Sequence, residues 1–184
     1  MDVTSSCMGH AMPFEFRKLT VRDAAAWWRL RLEALEREPQ AFSSAAEDHR
    51  QTPVEAVAGR IASAAPGSFI LGAFREGALA GVAGFQREQE LKSRHKGHVW
   101  GVYVTATARG CGTGRELMRA LIEHAQAETA LQQIVLTLTA RQSAAQRLYQ
   151  SLGFVAFGHE PRALMVEGSY VDEDYYVLML GGSQ

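Results

Sequence analysis

Residues 109–115 read Arg-Gly-Cys-Gly-Thr-Gly-Arg. The alternate glycines Gly110, Gly112 and Gly114 separate a strand-like run, ending Val102-Tyr103-Val104, from a long helical run. Glycine lets successive backbone N–H groups converge on one point, and a helix N-terminus adds partial positive charge there. Arg109 and Arg115 flank the turn with cationic donors suited to phosphate. The chemistry of such a segment is capture of a pyrophosphate or a similar anion. Glycines that only make a tight turn and cap the helix would read the same way. Two other nucleotide motifs do not fit. A dinucleotide fingerprint needs glycine one place later, where Arg115 stands, and a parallel β-α-β unit in front. A P-loop needs Gly-Lys-Ser/Thr after four spacers, which is absent.

A second chemical segment is Ala144-Ala145-Gln146-Arg147-Leu148-Tyr149-Gln150-Ser151-Leu152-Gly153-Phe154. Ala145, Leu148 and Leu152 fall on one helix face, and Tyr149 borders it. The ring can pack in the core alone, or pack while its hydroxyl reaches a cleft. Groups able to take a proton are fewer. His98 lies on the strand-like run, where period-two alternation places it on one face with Trp100 and Val102. Histidine suits proton transfer near neutral pH. The charged neighbours Arg94, His95 and Lys96 also suit a solvent-exposed strand edge. Glu33 and Glu36 on the first helix, and Glu88 and Glu90 at the end of a strand, are either acids able to attract a cation or ordinary solvated faces.

The elements that must position these groups are legible from periodicity. Phe14 to Leu19 alternates as a half-buried strand. Thr20 and Asp23 offer cap oxygens to a helix running to Pro39, and residues 40–52 read as loop. Thr52-Pro53-Val54-Glu55 starts a second helix, which Pro66-Gly67 ends. Ser68 to Phe74, Leu79 to Gln89 and His98 to Val104 read as three strands of an antiparallel meander. The spacing then predicts a helix over 112–128, a strand over 134–138, a helix over 143–152 stopped by Gly153, and a strand over 154–157. A loop through Pro161 and Gly168 leads to a last strand over 175–180. Trp27 and Trp28 are adjacent, so at most one faces the core squarely. The order describes an α+β domain built on a mixed sheet.

Bulk composition narrows the function classes. The chain has 184 residues, 47% of them hydrophobic, which suits one domain with a full core. With 19 basic and 20 acidic residues, the net charge of −1 gives no general pull toward nucleic acid or an anionic membrane. Cys7 and Cys111 lack metal-type spacing, and no two histidines stand three or four residues apart within a helical run. No metal and no disulfide framework are expected, and a reducing cytoplasmic setting follows as the default. Cys111 is expected to be a passive filler of the turn. No apolar run approaches the roughly 20 residues that span a bilayer. Residues 1–12 read as a loose leader, and 13–181 as the single domain.

The two chemical segments together resemble the GNAT superfamily of acyl-CoA-dependent N-acyltransferases. Arg109-Gly110-Cys111-Gly112-Thr113-Gly114 matches its Arg/Gln-x-x-Gly-x-Gly/Ala motif. Ala145-x-x-Leu148-Tyr149-x-x-Leu152-Gly153-Phe154 matches its second signature. The resemblance implies a three-layer α/β fold, with helices on both faces of a mostly antiparallel sheet and a V-shaped acyl-CoA slot. It implies acetyl transfer from acetyl-CoA to a primary amine of a small molecule or peptide, with no metal; a homodimer is compatible with it. The turn from Arg109 through Gly110, Cys111, Gly112, Thr113 and Gly114 to Arg115 would cradle the CoA pyrophosphate. The backbone of Val102, Tyr103 and Val104 would pair with the pantetheine arm, with Gln142 and Ala145 beside it. Many relatives carry Asn where Gln142 stands, so that contact would be made on a longer arm. Tyr149 would protonate the departing thiolate, His98 would be the base, and Glu33 and Trp100 would border the acceptor. A catalytically silent acyl-CoA sensor would carry the same turn.

Overall fold

The computed structural model describes residues 13–128, 131–140 and 142–181, so the leader expected over 1–12 lies outside it. Its strands are β1 (Glu15–Lys18), β2 (Phe69–Arg75), β3 (Ala78–Arg87), β4 (Lys96–Val104), β5 (Gln133–Thr139), β6 (Val155–Val166) and β7 (Ser169–Met179). Its helices are α1 (Ala24–Arg37), α2 (Ala46–Arg50), α3 (Val54–Ala62), α4 (Thr113–Glu128) and α5 (Ser143–Ser151). The strands form one sheet in the order β1-β2-β3-β4-β5-β7-β6. Every neighbouring pair is antiparallel except β4 with β5.

Apolar residues on both faces of the sheet explain the three layers. On one face, Leu117, Met118 and Leu121 of α4 and Tyr149 of α5 pack with Leu71, Ala83 and Leu136. On the other, Trp27, Leu30 and Ala34 of α1 and Val57 of α3 pack with Phe74, Val82 and Tyr103. Each such fully buried Leu or Met side chain contributes about 1.5–3 kcal/mol relative to exposure. The start of α1 is fixed by charge. Asp23 accepts both forks of Arg17 at 2.9 Å and the Thr20 backbone N–H at 2.8 Å. That combination holds the Asp23 carboxyl well below the usual carboxylate range, the Arg17 hydrogen bonds being the largest cause.

Three departures from the sequence reading have physical causes. The stretch expected as loop over 40–52 carries α2. At the start of α3 the cap position is Pro53 rather than Thr52, whose hydroxyl instead donates to the Asp48 carbonyl. The expected loop through Pro161 is a long hairpin of β6 and β7. Here β6 is the sheet edge, and a register shift between Glu160 and Leu164 absorbs the residue that cannot donate a ladder hydrogen bond. Tyr176 is fully buried there and accepts from Gln146 at 2.8 Å, while Tyr170 is exposed.

One departure bears on the site. Val82 pairs with Tyr103 but Gly84 pairs with Trp100, so β4 carries one extra residue opposite β3. Gly101, at φ 62°, supplies the left-handed backbone of this bulge. The bulge reverses the alternation. Val102 packs toward the α4 and α5 side, whereas Trp100 lies over Gly84 on the opposite face. The expectation that His98, Trp100 and Val102 share one face is thereby corrected: His98 and Trp100 share it, and Val102 does not.

Candidate active site

Strands β4 and β5 are paired only where Lys96–Val99 meets Gln133–Leu136. Beyond that point each strand follows its other neighbour. Tyr103 stays with Val82 of β3, and Thr137 to Thr139 stay with Tyr175 to Glu173 of β7. The two strands therefore fork. A cleft of about 820 Å³ fills the fork and runs past Val102, Tyr103 and Val104 to the glycine turn, with Ala145 and Tyr149 of α5 on its opposite wall.

The turn has the form its composition predicts. Gly110 and Gly112 take φ values of 78° and 81°, a region that strains any residue with a Cβ. A Cβ at either position would meet nothing within 4 Å, so the glycines answer to backbone conformation and not to crowding. Helix α4 starts at Thr113, directing its free N–H groups and dipole into the cleft. Thr113 Oγ1 and Thr139 Oγ1 are buried without a hydrogen-bond partner among the described residues, and both residues line the cleft. Orphaned polar atoms of this kind call for an external partner. The donor set, the positive helix end and the length of the cleft fit a phosphorylated, elongated ligand such as acetyl-CoA.

The two flanking arginines differ. Arg109 is tied down: Nε donates to the Val104 carbonyl at 2.8 Å, and Nη2 meets Glu38 at 2.6 Å. Its charge is answered within the protein, and it braces the cleft wall. Arg115 lines the cleft with no ion pair or hydrogen bond among the described residues, and so offers the open cation. Cys111 is not a free thiol, which corrects the expectation of a passive loop cysteine; Cys7 lies outside the described residues. Gln142 stands just before α5, lines the cleft, and accepts the Gln146 backbone N–H at 3.0 Å.

Tyr149 is 6% exposed and lies edge-on to Phe154 at 5.8 Å between ring centroids. Its hydroxyl has no hydrogen-bond partner among the described residues, and burial pushes its pKa above the ordinary phenol value. It therefore reaches the cleft protonated. Tyr103, expected to contribute backbone, also uses its side chain: its hydroxyl donates to Glu33 at 2.9 Å, and burial with that bond raises it to about 12. Glu33 further meets Arg37 at 3.5 Å and lines neither this cleft nor a second cavity beyond the sheet. Its contacts tie α1 to β4 and leave the acceptor-binding role without support from the geometry. His98 meets Glu88 at 2.8 Å, half-exposed, in the paired part of β4. Trp100 lines that second cavity. Two residues escaped the sequence reading: Thr139, which carries no motif, and Arg31 of α1. Arg31 stands four residues after Trp27 and three before Ala34, both buried, so helical spacing marks it as facing inward.

Comparisons with known proteins agree with this geometry. The family model described as "Acetyltransferase (GNAT) family" matches residues 25–154. An acetyltransferase of the GNAT family from Streptococcus pneumoniae is 27% identical, with a TM-score of 0.79 over 91% of this chain and 99% of that one. A ribosomal-protein-alanine N-acetyltransferase from Brucella melitensis is 25% identical, with a TM-score of 0.74 over 90% of this chain and 99% of that one. A Salmonella typhimurium structure solved with acetyl-CoA shares the fold at 23% identity and a TM-score of 0.80, over 94% and 96% of the two chains. A search of curated protein sequences finds no match. The fold and the site define an acyltransferase. The chain belongs to the acetyltransferase (GNAT) family. No helix of the described residues is long and apolar enough to cross a membrane.

Proposed function

We propose that the protein transfers an acetyl group from acetyl-CoA to a primary amine of a small molecule or peptide. The observation that carries this is the fork between β4 and β5, which leads from the glycine turn to the unpartnered hydroxyl of Tyr149. In this reading the N–H groups of Gly110, Gly112 and Gly114, the Thr113 hydroxyl and Arg115 hold the pyrophosphate. Arg109, fixed by Glu38, shapes that site. The unpaired edge of Val102, Tyr103 and Val104 aligns the pantetheine arm, with Gln142 and Ala145 opposite. Backbone N–H at the bulge meets the charge that develops on the thioester oxygen.

The chemistry is a direct displacement. The amine nitrogen bonds to the acetyl carbon, the carbon–sulfur bond breaks, and the electron pair leaves on sulfur. A free alkylamine has a pKa near 10.4, more than about three units above neutral pH, so the attacking nitrogen must first lose a proton. His98, on the acceptor face with Trp100, takes that proton through water, and Glu88 orients its ring. Tyr149 donates to the leaving sulfur. Burial keeps its proton in place at neutral pH, and the same dry wall raises the proton affinity of the thiolate. The relative that acts on a ribosomal-protein alanine keeps peptide amines among the acceptor classes.

The test is release of free thiol from acetyl-CoA across a panel of amines, amino acids and peptides. Release that depends on the acceptor supports an enzyme. Tight acetyl-CoA binding with no release to any acceptor would instead make the protein a sensor of the cosubstrate.

A further inference from the structure

The acetyltransferase reading leaves the acceptor open, and the following rests on that reading. On the sheet face away from α4 and α5, helices α1, α2 and α3 close over a second cavity of about 840 Å³, with Trp100 in its wall. Arg31 points into it. Its Nη1 is sealed from solvent and has no hydrogen-bond partner among the described residues. Among the described residues Nη2 reaches only the Ser44 hydroxyl, at a long 3.4 Å, and the guanidinium lies 4.5 Å from the Phe42 ring centroid. Among the described residues no carboxylate pairs with it, and burial alone lowers its pKa.

A guanidinium nitrogen shut away from water with no partner is unfavourable, and a partner from outside would relieve it. The surroundings say which sign. Lys18 and Arg60 line the same cavity, against the one carboxylate of Asp48. Position says how far the partner is from the chemistry. A Cβ on Gly101 would lie 3.5 Å from Arg31 Nη1, so the guanidinium rests against the β4 bulge, one residue before the Val102 edge of the fork. An anion held by Arg31 therefore sits beside the reacting end of the cleft. We infer that the acceptor carries a carboxylate or other oxyanion within a few bonds of its amine, as a free amino acid does, and that Arg31 binds this group. Guanidinium offers two parallel donors for it, which lysine does not. An acceptor amine inside a protein chain, with no such anion beside it, leaves Arg31 unpaired.

The experiment compares free L-amino acids with their C-terminal amides and with short peptides, as acceptors for wild type, Arg31→Gln and Arg31→Lys. Acetyl-CoA affinity is measured by calorimetry in parallel. Wild type favours acids over amides by about tenfold or more in kcat/KM, the yield of one charge-assisted contact. Arg31→Gln abolishes that preference through KM and leaves acetyl-CoA affinity unchanged, while Arg31→Lys restores part of it. If the arginine only braces the Phe42–Ser44 loop, acid and amide rates fall together in Arg31→Gln, and the assignment is overturned. Equal or better use of amides or peptides by wild type overturns it too. Should no member turn over, the melting midpoint in saturating CoA is read with the same panel. A rise with acids, lost in Arg31→Gln, supports the site; no rise with any acid rejects it. Absent acetyl-CoA binding defeats both the acetyltransferase reading and this one, whereas intact binding without an acid preference defeats this one alone.

Discussion

Replacing Tyr149 by Phe removes one oxygen from a ring that is otherwise buried and packed edge-on to Phe154. The hydroxyl has no protein partner among the described residues, so its loss strands no donor or acceptor. Stability should change by less than about 0.5 kcal/mol, below the net worth of a typical hydrogen bond. The cosubstrate contacts proposed for the glycine turn are untouched, so acetyl-CoA affinity should hold. The proton donation to the leaving sulfur proposed for Tyr149 would be lost. A general acid is worth about 10²–10⁴ in rate, or about 2.7–5.4 kcal/mol of barrier at 1.36 kcal/mol per tenfold. Steady-state thiol release, calorimetry and thermal unfolding on the same preparation separate the three quantities. A kcat within about threefold of wild type would refute proton donation by Tyr149, because a general acid cannot be worth so little. A loss of activity matched by a loss of stability would reduce the residue to core packing.

Two further outcomes follow. Asp23→Asn should cost about 1.5–3 kcal/mol at pH 7, the worth of hydrogen bonds to a charged group. Because Arg17 holds the folded carboxyl below its ordinary value near 4, its contribution is complete above about pH 4. Below that pH the unfolded chain takes up a proton that the folded chain refuses, and the contribution drains away; urea unfolding at several pH values should therefore show the two proteins converging in acid, and a constant gap would contradict the assignment. His98→Ala should lower kcat/KM at neutral pH by about 10²-fold, whereas an unchanged rate gives the proton to water alone.

What could be read from the sequence was whatever is local in the chain. The glycine turn and the Tyr149 helix are contiguous, and their backbone demands are written in residue type: Gly110, Gly112 and Gly153 all adopt positive φ. The order of strands and helices followed from periodicity, because each element has its own apolar face. What escaped depends on pairing between distant strands. Alternation along 98–104 gives no sign that Gly101 bulges, since glycine fits a flat strand as well; only the partner residues Val82 and Gly84 reveal it. Pro161 read as a breaker because a central strand would reject it, and only its place on the edge strand permits it. Arg31 went unnoticed: its alignment with Trp27 and Ala34 was visible, but its lack of a partner was not. Glu33 read as an acceptor-side acid until the fold brought Tyr103 to it.

The central claim is that the glycine turn holds the pyrophosphate of acetyl-CoA. Calorimetric titration of acetyl-CoA into wild type and Gly112→Glu tests it most directly. Gly112 sits at φ 81° with open space around it, so the variant bears about 1–2 kcal/mol of backbone strain and still folds, which circular dichroism checks. Its carboxylate, though, stands where the phosphates would lie. Wild type should bind one-to-one, and a folded Gly112→Glu should show no detectable binding. Wild type without affinity for acetyl-CoA, or a variant that binds it as well as wild type, would contradict the account.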